Sequence, residues 1–228
     1  MKLPISMTRN EKILGWLFLG AQQLVLPVVA VIINSLLPNP LSETLLNCAL
    51  FGINFLLSVL IFHRFLGVSF KLYISRPFWC LRASALGFGI YYLGSFFVSM
   101  LLSMLPMEFT NANDTTIQAM AQKHYNLIVL STVVFAPITE ELLYRGLIFG
   151  SLQRKHRVLA YLVSMVSFSL IHLVGYIGLE QPMVLFLSFF QYLPAGFALA
   201  WAYEKADSIW APIIIHMAVN QISISFMR

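Results

Sequence analysis

Charged residues are scarce in this chain. Asp, Glu, Lys and Arg make up 10% of its 228 residues, and 59% of the residues are hydrophobic, with a mean hydropathy of +0.82. Soluble domains carry about 25% charged residues, so this composition excludes a soluble domain and predicts an integral membrane protein. The net charge of +5 is expected to face anionic lipid headgroups and requires no nucleic acid partner.

The sequence also lacks the patterns of several enzyme classes. Its two cysteines, Cys48 and Cys80, show no metal-type spacing and are expected to be buried free thiols. It contains no H-E-x-x-H motif, no G-x-S-x-G nucleophile elbow and no Walker-type glycine loop. These absences exclude zincin-type metalloproteases, nucleophile-elbow serine hydrolases and P-loop nucleotide hydrolases.

Long apolar runs, in contrast, are plentiful. Because about 20 apolar residues cross the hydrocarbon core, the sequence predicts an all-α, polytopic transmembrane helix bundle of about seven spans, within a range of six to eight. The predicted spans are residues 13–36, 42–62, 79–105, 126–149, 158–177, 182–202 and 208–226. Nearly all Lys and Arg residues fall on one side of this arrangement, which predicts a cytoplasmic N-terminus. The whole chain, residues 1–228, is expected to form one integral-membrane domain.

Two connections between the predicted spans are long enough to have a role of their own. Residues 106–125 are polar and predict an external loop in which Asn113 to Thr116 cap a short helix. The alternative for this segment is a lid over a functional site. Residues 63–78 combine basic and aromatic side chains and predict an interfacial segment on the inner side.

The fourth predicted span contains three charged residues. Glu140, Glu141 and Arg145 interrupt the apolar run 127–149, where a charge costs from about 2.5 to more than 10 kcal/mol and normally lines a functional cavity. Glu141 and Arg145 are four residues apart and are predicted to form a structural ion pair. Glu140 lies about 100° from Glu141 around the helix axis, so it does not share this ion pair and is available as a general base. Pro137 removes a backbone donor just before the pair and predicts a bend or a free carbonyl there.

Two histidines interrupt other apolar runs. His172 lies in the fifth predicted span and His216 in the seventh, with Asn220 one turn further on. The depth of each group in the membrane can be counted from the basic residues at the inner end of its helix, at about 1.5 Å per residue. Glu140 and both histidines then lie within about one helical turn of a common depth. Each group alone could be a structural hydrogen-bonding group or, for Glu141 with Arg145, a structural tie. Their common depth favours a shared polar cavity.

Two mechanisms fit this set of side chains. In the first, Glu140 with help from His172 deprotonates a water that attacks a peptide carbonyl, and His216 and Asn220 donate hydrogen bonds to the oxyanion. In the second, Glu140, His172 and His216 bind a divalent metal ion, such as zinc, that polarises the water. Asn is a poor zinc ligand but a good oxyanion donor, which favours the metal-free version.

Three motifs carry a resemblance to a known family. E-E-x-x-x-R is present as Glu140 to Arg145, F-x-x-x-H as Phe168 to His172, and H-x-x-x-N as His216 to Asn220. Their order and their placement in separate spans are similar to the CPBP intramembrane proteases, which include the type II CAAX prenyl endopeptidases and the bacteriocin-processing and immunity (Abi) proteins. The resemblance covers about residues 126–222, which are therefore the expected catalytic core.

The resemblance implies a helical membrane peptidase that cleaves near the C-terminus of a membrane-associated peptide. It implies that Glu140 and His172 activate water and that His216 and Asn220 stabilise the oxyanion. The remaining motif residues would support the site; they are Glu141, Arg145 and Phe168. A multi-pass protein of the bacterial plasma membrane is expected.

Three functions stay open at this point. The leading one is an intramembrane endopeptidase acting on a hydrophobic or lipidated peptide or protein within the bilayer. The alternative is a non-proteolytic membrane regulator or bacteriocin immunity protein that contacts a partner, such as a sensor kinase, through its helices. An ion-coupled transporter would also use buried Glu and His, but the chain has no paired halves or repeated broken helices. The one cofactor expected is a divalent metal, and only in the second mechanism.

Overall fold

A computed structural model describes residues 6–106 and 109–227 of the chain. The residues outside these ranges include two of the basic residues behind the orientation prediction, Lys2 and Arg228. The helices are α1 Arg9–Leu24, α2 Leu26–Ser35, α3 Glu43–Ser75, α4 Pro77–Ser103, α5 Ala112–Leu152, α6 Arg157–Ile171, α7 Pro182–Ala206 and α8 Trp210–Ser225. A short 3₁₀ turn, Val174–Tyr176, follows α6.

The all-α, polytopic prediction is confirmed. Helices α3, α4, α5 and α7, together with the segment Arg157–Tyr176, are long and apolar enough to cross a membrane. Helices α1 and α2 provide a sixth span if the pair, which is bent by 47°, counts as one. Helix α8 has 16 residues, fewer than the roughly 20 of a full span. The seven-span count and the N-in orientation stay predictions.

Helix α3 runs past the predicted end of the second span. The segment 63–78 begins as the continuation of this helix, which ends only at Ser75, after one non-helical residue at Phe62 (φ −105°, ψ 17°). A break of this kind withdraws helical acceptors from the N–H groups that follow it. The Phe65 N–H instead donates to the Glu11 carboxylate at 2.8 Å.

Glu11 therefore serves two helices at once. Its other carboxylate oxygen accepts from the Thr8 N–H at 2.7 Å and completes the capping box of α1. The residue is only 5% exposed. Its carboxylate joins the start of α1 to the second half of α3, and both helices contact the part of α5 that carries Arg145.

We expect Glu11→Ala to lower the free energy of unfolding by about 1–3 kcal/mol, because the buried Phe65 N–H and the partly buried Thr8 N–H lose their acceptor. Glu11→Gln keeps one acceptor oxygen and should lose less. Thermal unfolding in detergent measures both variants, with the exposed Glu43→Ala as the control, which should change stability by less than about 0.5 kcal/mol. Equal stability of Glu11→Ala and the parent protein would contradict this assignment.

Helix α5 carries the acidic pair and is irregular around it. It begins at Ala112, with Asn111 as its N-cap, so most of the predicted external loop 106–125 is helical. A non-helical residue, His124 (φ −142°, ψ 59°), separates this first part from the remainder. Two π-helical stretches, Leu130–Phe135 and Leu142–Phe149, flank the α-helical turn Ala136–Glu141. Short π-helical elements are frequent at functional sites.

Small residues allow the helices around α5 to approach closely. A Cβ atom added at Gly87 of α4 would lie 2.9 Å from the Ala202 Cβ of α7. One added at Gly196 of α7 would lie 3.0 Å from the Met165 Cα of α6. Such contacts are typical of membrane helix interfaces. They hold α4, α6 and α7 around the polar residues of α5.

Candidate active site

A fully buried ion pair forms the inner layer of the site. The Arg145 Nη1 atom donates to Glu141 Oε1 at 3.0 Å, and neither side chain is exposed. This is the i,i+4 pair that the spacing predicts. The same Glu141 oxygen lies 2.8 Å from His216 Nδ1, on α8. Because a carboxylate only accepts, this nitrogen of His216 carries the proton.

The Arg145 guanidinium also contacts two backbone carbonyls of α7 and the aromatic ring of Phe168. Its Nη2 atom donates to the carbonyls of Ala195 and Gly196 at 3.5 and 3.4 Å, which the small residues of α7 bring close. Its guanidinium carbon lies 4.1 Å from the centre of the Phe168 ring, a cation–π contact. Phe168 of the second motif therefore contacts Arg145 of the first.

Glu140 faces the two histidines. Its Oε2 atom lies 3.9 Å from His172 Nε2 and 3.9 Å from His216 Nε2, and this oxygen is buried without a hydrogen-bond partner among the described residues. The side chain is 18% exposed, unlike that of Glu141. The structure thus brings together the three groups whose depths along the sequence agree. Polar atoms separated by about 3.5–4 Å are a spacing that a water can bridge.

The imidazole of His172 has a defined orientation. Its Nδ1 atom lies 2.8 Å from the Phe168 carbonyl oxygen, so this nitrogen carries a proton and donates it. In the neutral ring, Nε2 then holds a lone pair that points towards Glu140. The ring contacts two aromatic side chains, with centroid distances of 4.7 Å to Phe168 and 4.3 Å to Tyr192.

Asn220 is bound to a carbonyl that the helix leaves free. In the first π stretch the Ala136 N–H donates to the Ser131 carbonyl, so the next carbonyl, that of Thr132, would need the N–H of residue 137. That residue is Pro137, which has no N–H. The Asn220 Nδ2 atom donates to the Thr132 oxygen at 2.8 Å instead. The free carbonyl predicted from the proline is present, and it fixes the Asn220 amide.

A cavity of about 290 Å³ contains these groups. Its inner part is lined by Glu140, His172, His216 and Asn220. Its outer part is lined by polar residues at the start of α5 and in α7, which are Asn111, Asn113, Asp114, Gln191 and Tyr192. The cavity therefore leads from the N-terminal end of α5 down to the acidic and imidazole groups.

The side chains do not form a metal centre as they are placed. Both histidines have a bonded Nδ1, as metal-ligating histidines often do. In the described part of the chain, however, no three His, Cys, Asp or Glu side chains are arranged to hold an ion. The Glu140 oxygen is 3.9 Å from each Nε2, whereas two ligands of a tetrahedral zinc lie about 3.4 Å apart. A metal held by Glu140, His172 and His216 stays a prediction, which elemental analysis of the purified protein tests.

Several residues around the site were not among the sequence candidates. Tyr192 stacks on His172, and Asn111 accepts a hydrogen bond from the Tyr192 hydroxyl at 3.2 Å. Gln191 accepts from Asn111 Nδ2 at 2.8 Å. Gln191 could have been found as a polar residue within an apolar span. Tyr192 and Asn111 give no comparable signal, because Tyr is common near membrane interfaces and Asn in loops.

Comparison with known proteins identifies a matching family model and several bacterial relatives. The model of the family described as type II CAAX prenyl endopeptidase Rce1-like matches residues 122–222. The UPF0177 protein YxdF of Lactococcus lactis subsp. lactis (strain IL1403) is 34% identical over 87 residues, 38% of this chain and 42% of that protein. The protein named "Putative membrane peptidase YdiL" of Bacillus subtilis (strain 168) is 33% identical over 95 residues, 41% of this chain and 34% of that protein.

A further relative matches over a longer stretch. The UPF0177 protein YbdI of the same Lactococcus strain is 30% identical over 129 residues, 54% of this chain and 65% of that protein. The chain thus spans less than half the length of the first two relatives. No solved structure shows a significant match. The family resemblance is confirmed, as is a bacterial multi-pass membrane protein.

Proposed function

We propose that the chain, whose residues 122–222 match the model of the family described as type II CAAX prenyl endopeptidase Rce1-like, is an intramembrane endopeptidase. It hydrolyses a peptide bond in a hydrophobic or lipidated peptide that is associated with the membrane. The observation that carries this proposal is the buried Glu140 Oε2 atom, which accepts no hydrogen bond from any residue in the described part of the chain and lies 3.9 Å from two imidazole nitrogens. Charged groups inside a helix bundle are kept for function more often than for stability.

Glu140 and His172 activate the nucleophilic water. The neutral His172 ring donates from Nδ1 to a carbonyl, so its Nε2 lone pair and the Glu140 carboxylate both accept protons at one place. A water molecule between His172 and Glu140 can donate a proton to one of these groups while the other group orients the water. The proton then reaches the leaving amine as the peptide bond breaks.

His216 and Asn220 stabilise the oxyanion that forms on the peptide carbonyl. Asn220 uses one of its two amide hydrogens on the Thr132 carbonyl, which leaves the second free to donate. His216 can donate from Nε2 only when its ring is protonated, and the Glu141 carboxylate at Nδ1 stabilises that charge. Glu141, Arg145 and Phe168 therefore support the site without contacting the substrate.

The cavity supports a short, extended segment of peptide as the substrate. Its volume of about 290 Å³ is at the low end of ligand pockets, which span about 300–1,000 Å³. Amide side chains at its outer part, on Asn111, Asn113 and Gln191, match the donors and acceptors of a peptide backbone. With the N-terminus inside, this opening would lie on the outer side of the membrane.

The experiment that tests the proposal compares the membrane peptides of cells that produce the parent protein or His172→Gln. Mass spectrometry should find new peptide C-termini only with the parent protein. Repeating the cleavage with purified protein in H₂¹⁸O should place one ¹⁸O atom in each new carboxyl group, because water is the nucleophile. Identical C-termini in both cell lines would contradict the proposal and favour the non-proteolytic regulator.

A further inference from the structure

The outer end of helix α5 is joined to the candidate active site by an unbroken set of side-chain contacts. His172 stacks on Tyr192, with ring centroids 4.3 Å apart and planes inclined by 24°. The Tyr192 hydroxyl donates to Asn111 Oδ1 at 3.2 Å. Asn111 in turn caps α5 and donates to Gln191 at 2.8 Å. These contacts connect the mouth of the cavity to its proton-accepting imidazole.

The hydrogen bond at Nδ1 does not by itself fix the His172 ring. A single bond to the Phe168 carbonyl sets the position of one nitrogen, but the imidazole plane can still turn about that bond. The stacked Tyr192 ring, at 24° to the imidazole, removes this freedom, whereas the Phe168 ring is tilted by 58°. The direction of the Nε2 lone pair towards Glu140 therefore depends on where the Tyr192 ring lies.

Asn111 fixes Tyr192, and both polar atoms of its side chain are hydrogen-bonded. The residue is 8% exposed, and its Oδ1 atom accepts from the Asn113 N–H at 3.0 Å as well as from the tyrosine. The bond to Gln191 holds its amide group to the same helix that carries Tyr192. The cap of α5 thus sets the position of the tyrosine ring, and moving this cap would release the ring.

We propose that Tyr192 is a positioning residue for His172 and that Asn111 holds Tyr192 in place, so that docking of the α5 N-terminus on α7 orients the imidazole of the active site. This inference rests on the proposed peptidase function for its kinetic consequence. Its structural part, the orientation of the His172 ring by Tyr192, does not depend on that function.

The kinetic test uses a peptide that the parent protein cleaves, and follows kcat and KM separately. Tyr192→Leu removes the stack and should lower kcat about 10- to 100-fold with KM changed less than about twofold, the range found when a group that orients a reacting residue is removed. Tyr192→Phe keeps the stack and should retain at least about a third of kcat. Asn111→Ala should fall between the two variants.

Two control variants lie on α7 and α6 at positions that do not line the cavity. Phe190→Leu removes an exposed ring of α7 two residues before Tyr192, and Tyr161→Phe removes a hydroxyl that donates to Glu204 at 2.9 Å. Both should keep the parent kcat. A normal kcat in Tyr192→Leu overturns the proposal, and so does an equal loss in Tyr192→Phe and Tyr192→Leu.

Nuclear magnetic resonance of histidine-labelled protein tests the positioning without any substrate. The five histidines give separate ring signals, and His172→Gln identifies the one of His172. Stacking on tyrosine should shift its ring protons upfield, and this shift should be lost in Tyr192→Leu and kept in Tyr192→Phe. An unchanged His172 signal in Tyr192→Leu overturns the inference. If the shift behaves as expected but the parent protein cleaves no peptide, the proposed function is wrong and the positioning is correct.

Discussion

Replacing Glu140 by Gln should abolish peptide hydrolysis while leaving the protein folded. The amide has the size of the carboxylate but cannot accept a proton, and general-base catalysis contributes about 10²–10⁴-fold to rates. Among the described residues, Glu140 has no hydrogen bond through Oε2 and forms no ion pair with a Lys or Arg side chain; its nearest cationic candidates are the two imidazoles at 3.9 Å. Its charge therefore contributes little to stability, and kcat should fall at least about 100-fold.

The matched control is Glu204→Gln, the same change at a carboxylate that pairs with the exposed Arg157. This variant should process substrate at the parent rate, because Glu204 lies at the other end of α7 from the cavity. Both variants should insert into membranes and melt near the parent temperature. If Glu140→Gln is stably inserted and still processes substrate normally, Glu140 is not the general base; if processing also persists in cells without the protein, the peptidase proposal fails and the regulator becomes the better account.

The polar core could be predicted because it follows from local helix geometry. The four-residue spacing of Glu141 and Arg145 is enough to place both on one face, and the structure pairs them at 3.0 Å. The agreement in depth of Glu140, His172 and His216 follows from the constant rise of each helix above its basic inner end. Neither inference needs knowledge of how the helices pack.

Contacts between helices could not be predicted in the same way. The hydrogen bond from His216 to Glu141 depends on how α8 is rotated about its axis. The hydrogen bond from Asn220 to the Thr132 carbonyl depends on the π-helical change of register in α5. Sequence spacing determines neither quantity. Helix α3 likewise passes the predicted end of the second span because Glu11, far away in the sequence, caps its second half at Phe65.

The second large effect is expected at the buried ion pair. Arg145→Met should lower the free energy of unfolding by about 3–5 kcal/mol, because Glu141 would be left charged in the interior with only His216 as a partner. The loss should be visible as low yield and a lower melting temperature in detergent. Activity should fall with it, since His216 depends on the same carboxylate oxygen.

A double-mutant cycle separates the stranded charge from the loss of packing. Glu141→Gln in the Arg145→Met background removes the charge but keeps an acceptor for His216, so it should recover most of the lost stability. The control is Arg157→Met, which breaks an ion pair whose arginine side chain is 61% exposed and should leave the melting temperature close to that of the parent protein, because water screens exposed pairs. If the double variant is no more stable than Arg145→Met alone, the cost comes from packing against Phe168 and the α7 carbonyls, and Glu141 does not need Arg145 as its counter-ion.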